Sequence, residues 1–230
     1  AASVKPYRVN YRDALAHGVV ASVVLPGDGT PVPPQVLDML PPVEREVAES
    51  MRGFRQESYV GGRLAAGAAL GLLGLPRTPI TMGPRGEPIP PRGVSLSISH
   101  KRHMAVALAA RCDHGVVGVD LEDLEPSRMA IASRILQPCE LEEVLALPEE
   151  RQWTATVVRF AIKEAIYKAL APRLGRYMGF DEAIVVVDMD GTAEVTMSLT
   201  EGTPPVSIEA RYGWLFGAVL ATVRAKWPDA

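Results

Sequence analysis

The chain has 230 residues, of which 47% are hydrophobic and 22% charged, with a formal net charge of −3. This is the composition of an ordinary globular protein with one large domain or two small ones, and it gives no general reason to expect nucleic-acid binding. No stretch is long and apolar enough for a membrane-spanning helix, and the N-terminus lacks the basic-then-apolar pattern of a signal peptide. Cys112 and Cys139 form neither a metal-ligand spacing nor a disulfide framework, which points to a reducing, cytoplasmic compartment. Charge is unevenly spread. Residues 41–111 carry ten basic and five acidic side chains, and residues 112–150 carry two basic and ten acidic. A phosphate-binding segment followed by a cation-binding one has this pattern, and so do two solvated faces.

In chain order, residues 18–25 (GVVASVVL) predict a buried strand and 27–34 a Gly/Pro loop. Residues 43–75 read as one helix, charged at first and then Ala/Leu/Gly-rich, closed by Gly74 and Pro76. A loop over 83–93 precedes a predicted hairpin of strands 94–99 and 104–110. Residues 116–122 predict another strand, and 138–147 and 151–170 predict helices. Strands follow at 183–189, 193–199, 206–211 and 214–223, with Asp190-Gly191 as a hairpin turn. Each half then has an initial strand, a helix and antiparallel strands. The expected class is α+β, a pseudo-dimer of two similar lobes (1–112 and 113–230), each a small mainly antiparallel sheet packed on a long helix.

Three segments carry candidate chemistry. In VVGVDLE (116–122), strand alternation puts Gly118, Asp120 and Glu122 on one face. Paired carboxylates suit a hard cation such as Mg²⁺, and Gly118 allows close approach of a ligand; the same pattern is also the polar side of an amphipathic strand. In VVRFAIKEAIYKAL (157–170), Glu164 and Lys168 are one turn apart beside the buried stripe, with Lys163 and Tyr167 alongside. Glu164 would complete an acidic site, although an i,i+4 Glu–Lys surface pair reads the same way. In SLSISH (95–100), Ser95, Ser97 and Ser99 share one face, while His100 ends the other, where an imidazole can donate to a phosphate. Arg55 and Arg63 lie close to two turns apart on the predicted long helix and, with Arg85 in the Pro/Gly loop, are candidates for a second phosphate; each alone is equally a solubilising surface residue. The Gly61-Gly62 pair suits either a ligand or tight helix packing.

The order SISH, GVDLE, FAIKEAIYKAL resembles the phosphopantetheinyl transferases of the surfactin and enterobactin type, closest to the enterobactin-like bacterial branch. RQESYVGGR (55–63) and the GEP-x-x-P stretch (86–91) resemble that family's upstream elements. Val119 and Leu121 stand where isoleucines are usual, Ala161 where serine is common, and Leu96 where glycine is frequent. The resemblance implies transfer of 4′-phosphopantetheine from coenzyme A to a serine of an apo acyl or peptidyl carrier protein, leaving 3′,5′-ADP. It implies Mg²⁺, with Mn²⁺ as an alternative, held by Asp120, Glu122 and Glu164. Glu164, Lys168 and His100 then carry the chemistry, and Arg55, Arg63, Arg85, Ser99, His100, Lys163 and Lys168 hold the coenzyme. Lobe 1–112 is expected to take the 3′-phosphate and adenine side and lobe 113–230 the metal and catalytic motifs. Segment 129–136 is the candidate carrier-docking surface, and a monomer without nucleic-acid or membrane partners is expected. Two rival readings share these residues: a non-catalytic module binding coenzyme A or the carrier, and a metal-dependent phosphodiester hydrolase.

Overall fold

The computed structural model describes residues 5–200, 203 and 205–228. The chain divides into two compact units, Ala1–His114 and Gly115–Ala230. In the first, β1 (Val9–Leu15) and β2 (Gly18–Val24) form a hairpin, followed by the single turn α1 (Pro34–Leu37). Helices α2 (Pro42–Ser50) and α3 (Gly53–Leu72) come next, then the short β3 (Thr81–Met82) and β4 (Pro88–Ile89), and the hairpin β5 (Val94–Lys101) and β6 (Met104–Arg111). The main sheet is antiparallel in the order β1-β2-β6-β5. Alternation turns Ala21 and Val23 of β2, and Ala105, Ala107 and Ala109 of β6, onto the small-residue face of α3, where all five are buried. Gly61 and Gly62 serve this packing: a Cβ at Gly61 would stand 2.3 Å from Leu25 Cδ2, and one at Gly62 3.0 Å from Ile98 Cγ2.

The single helix expected over 43–75 is two helices. Met51 is extended, and Gly53 takes a φ of +59°, a left-handed conformation that breaks the helical run despite its continuous periodicity. Strand β1 follows no apolar run and was not expected. It is an edge strand, so its Arg12 and Asp13 remain exposed.

The second unit begins with β7 (Val116–Glu122). After α4 (Ala132–Ile135), α5 (Pro138–Leu145) and the 26-residue α6 (Glu149–Leu174) come β8 (Ala183–Val187), β9 (Thr192–Met197), β10 (Ser207–Leu215) and β11 (Ala218–Lys226). They form an antiparallel sheet in the order β7-β11-β10-β9-β8. The break expected between strands 206–211 and 214–223 falls instead at Phe216-Gly217. Gly217 has φ +88°, and Phe216 shares the left-handed region at φ +50°, an uncommon conformation for a bulky residue and one the sequence does not advertise.

Both units repeat one plan: a strand, short helix, long helix and closing hairpin, with the hairpin's second strand paired to that strand, β6 to β2 in the first unit, which adds β1 ahead of it, and β11 to β7 in the second. The hairpin ends set the register between them, since Lys101 pairs Met104 as Leu215 pairs Ala218. Counting inward, Val19, Ala21 and Val23 occupy the places that Gly118, Asp120 and Glu122 hold in the second unit, and His100 occupies the place of Trp214.

Candidate active site

In the second unit, the face of β7 bearing Gly118, Asp120 and Glu122 is the face packed on α6. A Cβ at Gly118 would lie 1.9 Å from the Ala165 carbonyl oxygen and 3.1 Å from Ala169 Cβ. Gly118 therefore admits a helix backbone, which corrects the expectation that it admits a ligand. The close approach brings the two elements into contact through charge: Lys168 Nζ donates to Asp120 Oδ1 at 2.6 Å. Asp120 is 3% exposed, whereas the Lys168 side chain keeps 27% of its surface in solvent. A buried carboxylate is thus held by an ammonium that is partly open to solvent. Glu164, one turn before Lys168, and Glu122, two residues after Asp120, are both half-buried. Among the described residues, no three His, Cys, Asp or Glu side chains are gathered tightly enough to cage an ion. Mg²⁺ is commonly held by one or two carboxylates and completed by water and substrate phosphate, so an all-oxygen donor set on two packed elements fits it without a closed cage.

In the first unit, Arg55, Ser58 and His100 form a shared wall between two cavities of about 530 and 260 Å³. The larger adds Leu25, Phe54 and Arg102, and the smaller adds Tyr59, Arg63 and Ile98. Arg63 is 5% exposed and its guanidinium lies 4.6 Å from the centre of the Tyr59 ring. Its Nε and Nη2 have no hydrogen-bond acceptor among the described residues. A buried guanidinium with unspent donors at the wall of a cavity is a strong anion receptor, because charge-assisted bonds to phosphate would repay its desolvation. The larger cavity is framed by Glu57, whose carboxylate accepts the backbone N–H groups of Gly27 and Gly29, and by Arg102, which donates to Gly27 O and stacks on Phe54.

The structure thus brings together Arg55, Arg63 and His100 in one unit, and Asp120 and Lys168, with Glu122 and Glu164 alongside, in the other. Arg85 lies in the turn between β3 and β4 and lines neither cavity; its backbone N–H donates to Glu87. Ser99 is buried on the opposite face of β5 from His100 and also lines neither cavity. Lys163 is fully buried inside the second unit, with Nζ donating to Glu140 Oε2, Ile135 O and Phe180 O at 2.6, 3.0 and 3.1 Å. In segment 129–136, Ala132, Ile135 and Leu136 face inward on a small cluster with Val144, leaving Ala130, Ser133 and Arg134 exposed. Tyr59 and Glu140 were not singled out from the sequence. Tyr59 could have been found from its four-residue spacing to Arg63, whereas nothing local marks Glu140 as the partner of Lys163.

Oxygen donors beside a lysine in one unit and a buried arginine with free donors in the other equip the protein to handle phosphate esters. Residues 116–222 match the model of the 4′-phosphopantetheinyl transferase superfamily, and residues 43–110 match that of the 4′-phosphopantetheinyl transferase N-terminal domain. The chain is 33% identical over 171 residues to the 4′-phosphopantetheinyl transferase Npt of Nocardia iowensis, covering 70% of this chain and 72% of that protein. It is 32% identical over 177 residues to Svp of Streptomyces mobaraensis, covering 75% and 71%. With PptT of Mycobacterium tuberculosis the identity is 29% over 204 residues, covering 86% and 81%. The chain belongs to the 4′-phosphopantetheinyl transferase family. It is a transferase of the holo-[acyl-carrier-protein] synthase type.

Proposed function

We propose that the protein transfers 4′-phosphopantetheine from coenzyme A to a serine of an apo acyl or peptidyl carrier protein in a magnesium-dependent reaction. The observation that carries this reading is the 2.6 Å contact of Lys168 with Asp120, which joins the acidic strand to the helix bearing Glu164. Asp120, Glu122 and Glu164 would hold the cation, with Mn²⁺ as an alternative. When bound, the ion neutralises pyrophosphate charge that would otherwise repel the attacking hydroxyl.

The chain's own residues do the rest. Glu164, half-exposed on α6, takes the proton of the carrier serine. Lys168 swings from Asp120 to the phosphoryl group, offsets the charge on the bridging oxygen and protonates the departing 3′,5′-ADP. His100 donates to the phosphates, and Arg55 and Arg63 take the 3′-phosphate side of the coenzyme, the role that the unspent Arg63 donors support. Arg85 is assigned to the same 3′-phosphate side, and Ser99 to the pyrophosphate with His100. The nucleophile belongs to the partner, so no serine of this chain needs activation.

On this reading the carriers are water-soluble, the compartment is cytoplasmic and the enzyme is a monomer; no helix among the described residues is long and apolar enough to cross a membrane. Incubation with coenzyme A, Mg²⁺ and a panel of apo carrier proteins tests the reading. A carrier mass gain of one phosphopantetheine arm is the expected result. Release of 3′,5′-ADP without a carrier would instead identify a hydrolase, and coenzyme binding without either product would identify a binding module.

A further inference from the structure

Lys163 stands in the same helical segment as Glu164 and Lys168, yet its ammonium is spent inside the second unit. Its three N–H donors go to three acceptors: Glu140 on α5, Ile135 O at the end of α4, and Phe180 O ahead of β8. Glu140 is equally committed. It sits third in α5, after Pro138 has started the helix. Its Oε2 accepts the Gln137 N–H at 2.7 Å as well as Lys163, and its Oε1 accepts the Val185 N–H at 2.7 Å. The side chains are 0% and 1% exposed. Burial pushes the Lys163 pKa down, and Glu140 opposes that shift. A buried ion pair is a poor stabiliser compared with apolar side chains of the same shape, so its use here calls for a role in specifying geometry.

That geometry is the rotation of α6 about its axis. Successive helix residues are turned by about 100°, so pinning Lys163 to α4, α5 and the Phe180 carbonyl fixes the direction in which Glu164 leaves the helix. The first unit supplies the control. Glu44 is also third in its helix after a proline at position 42, is also 1% exposed, and also accepts a strand-side N–H, that of Ile80 at 2.8 Å. Its cation, however, is Arg77 at 2.6 Å, from the loop after α3 and not from α3 itself. Gly67 of α3 leaves the space for it, since a Cβ there would lie 2.7 Å from Arg77 Nε. The helix that carries the acid and the lysine is braced by a lysine of its own beside them, whereas α3 holds its buried Gln56 and Glu57 near its start, against Ala48 O and the loop ahead of α1, and takes no part in the Glu44–Arg77 pair.

We propose that Lys163, with Glu140, is a positioning residue that sets the rotational register of α6, and hence of Glu164 and Lys168, without touching the coenzyme. The proposal rests on α6 being the catalytic helix. Two variants test it, Lys163→Met and the double variant Lys163→Met with Glu140→Gln, each measured for melting midpoint, coenzyme A affinity by calorimetry and kcat well below the midpoint. In the single variant, kcat of the folded enzyme is expected to fall by about tenfold or more while the coenzyme A Kd stays within about twofold. The double variant, which removes the stranded carboxylate but keeps an acceptor for the Val185 and Gln137 N–H groups, is expected to recover most of the midpoint while kcat stays low, because α6 is still untethered; recovery of kcat as well would show that the tether does not position the helix and would overturn the proposal. A coenzyme A Kd raised about tenfold or more in the refolded double variant would make Lys163 a ligand contact and overturn the proposal. An unchanged kcat in the single variant would reduce the pair to a plain stabiliser and overturn it equally. If the unmodified protein transfers nothing, the functional reading fails on its own, while the affinity measurement still decides whether Lys163 meets the coenzyme.

Discussion

The two units share a strand, a short helix, a long helix and a hairpin, yet they place their polar groups on different members of that set. In the second, the first strand offers Gly118, Asp120 and Glu122 to the long helix, and the helix answers with Lys168. In the first, the same three places are Val19, Ala21 and Val23, and the interface is apolar. The polar groups of the first unit stand instead on the first half of its helix, at Arg55 and the buried Arg63, and at the hairpin's end, at His100, where the second unit has an exposed Trp214. On the proposed reading, one scaffold supports an anion receptor in one unit and a cation-and-proton-transfer site in the other, depending on which surfaces are left apolar. Function follows the grafted residues and not the fold.

The strongest way to break this comparison is to make the second unit resemble the first. Asp120→Ala gives it the alanine found at position 21 and is expected to lower metal-dependent transfer about a thousandfold or more, with the folded state retained by circular dichroism. A variant with full activity would remove the carboxylate from the site. Lys168→Ala is expected to reduce kcat by about 10²–10³ while weakening coenzyme A binding far less, as single-turnover and equilibrium measurements would separate. Equal losses in both would make the lysine a binding group. Arg63→Ala sharpens the comparison from the other side. It is expected to weaken coenzyme A by about 10–100-fold, from the loss of charge-assisted bonds of about 1.5–3 kcal/mol, with kcat at saturation little changed. The same variant should bind 3′-dephospho-coenzyme A nearly as well as the parent does. Gly118→Ala leaves every charged group in place and crowds the Ala165 carbonyl. A loss of about 1–3 kcal/mol in stability is expected from thermal or denaturant unfolding.

Much of this was legible in the sequence because the relevant patterns are local. The alternation of VVGVDLE placed both carboxylates on one face, and the stripe of Ala161, Ile162, Ala165, Ile166 and Ala169 oriented α6 correctly, all five being buried. What was not legible depends on partners distant in sequence or on backbone conformations a residue type disfavours. The acidic face read equally well as solvated because nothing local announces that α6 covers it. Lys163 read as a neighbour of Glu164 because its carboxylate partner lies 23 residues away. The turn at Phe216 was hidden by its residue type, and the break before α3 by an unbroken helical rhythm through Arg52 and Gly53.

The contact between Gly118 and the Ala165 carbonyl has a wider consequence. The separation of β7 from α6 is set by main chain against main chain, so no change of side-chain conformation can relax or tighten it. The span that Lys168 must bridge to reach Asp120 is therefore a fixed gauge built into the backbone. The groups around it can be exchanged to suit a different ion or acceptor while the gap they work across stays the same.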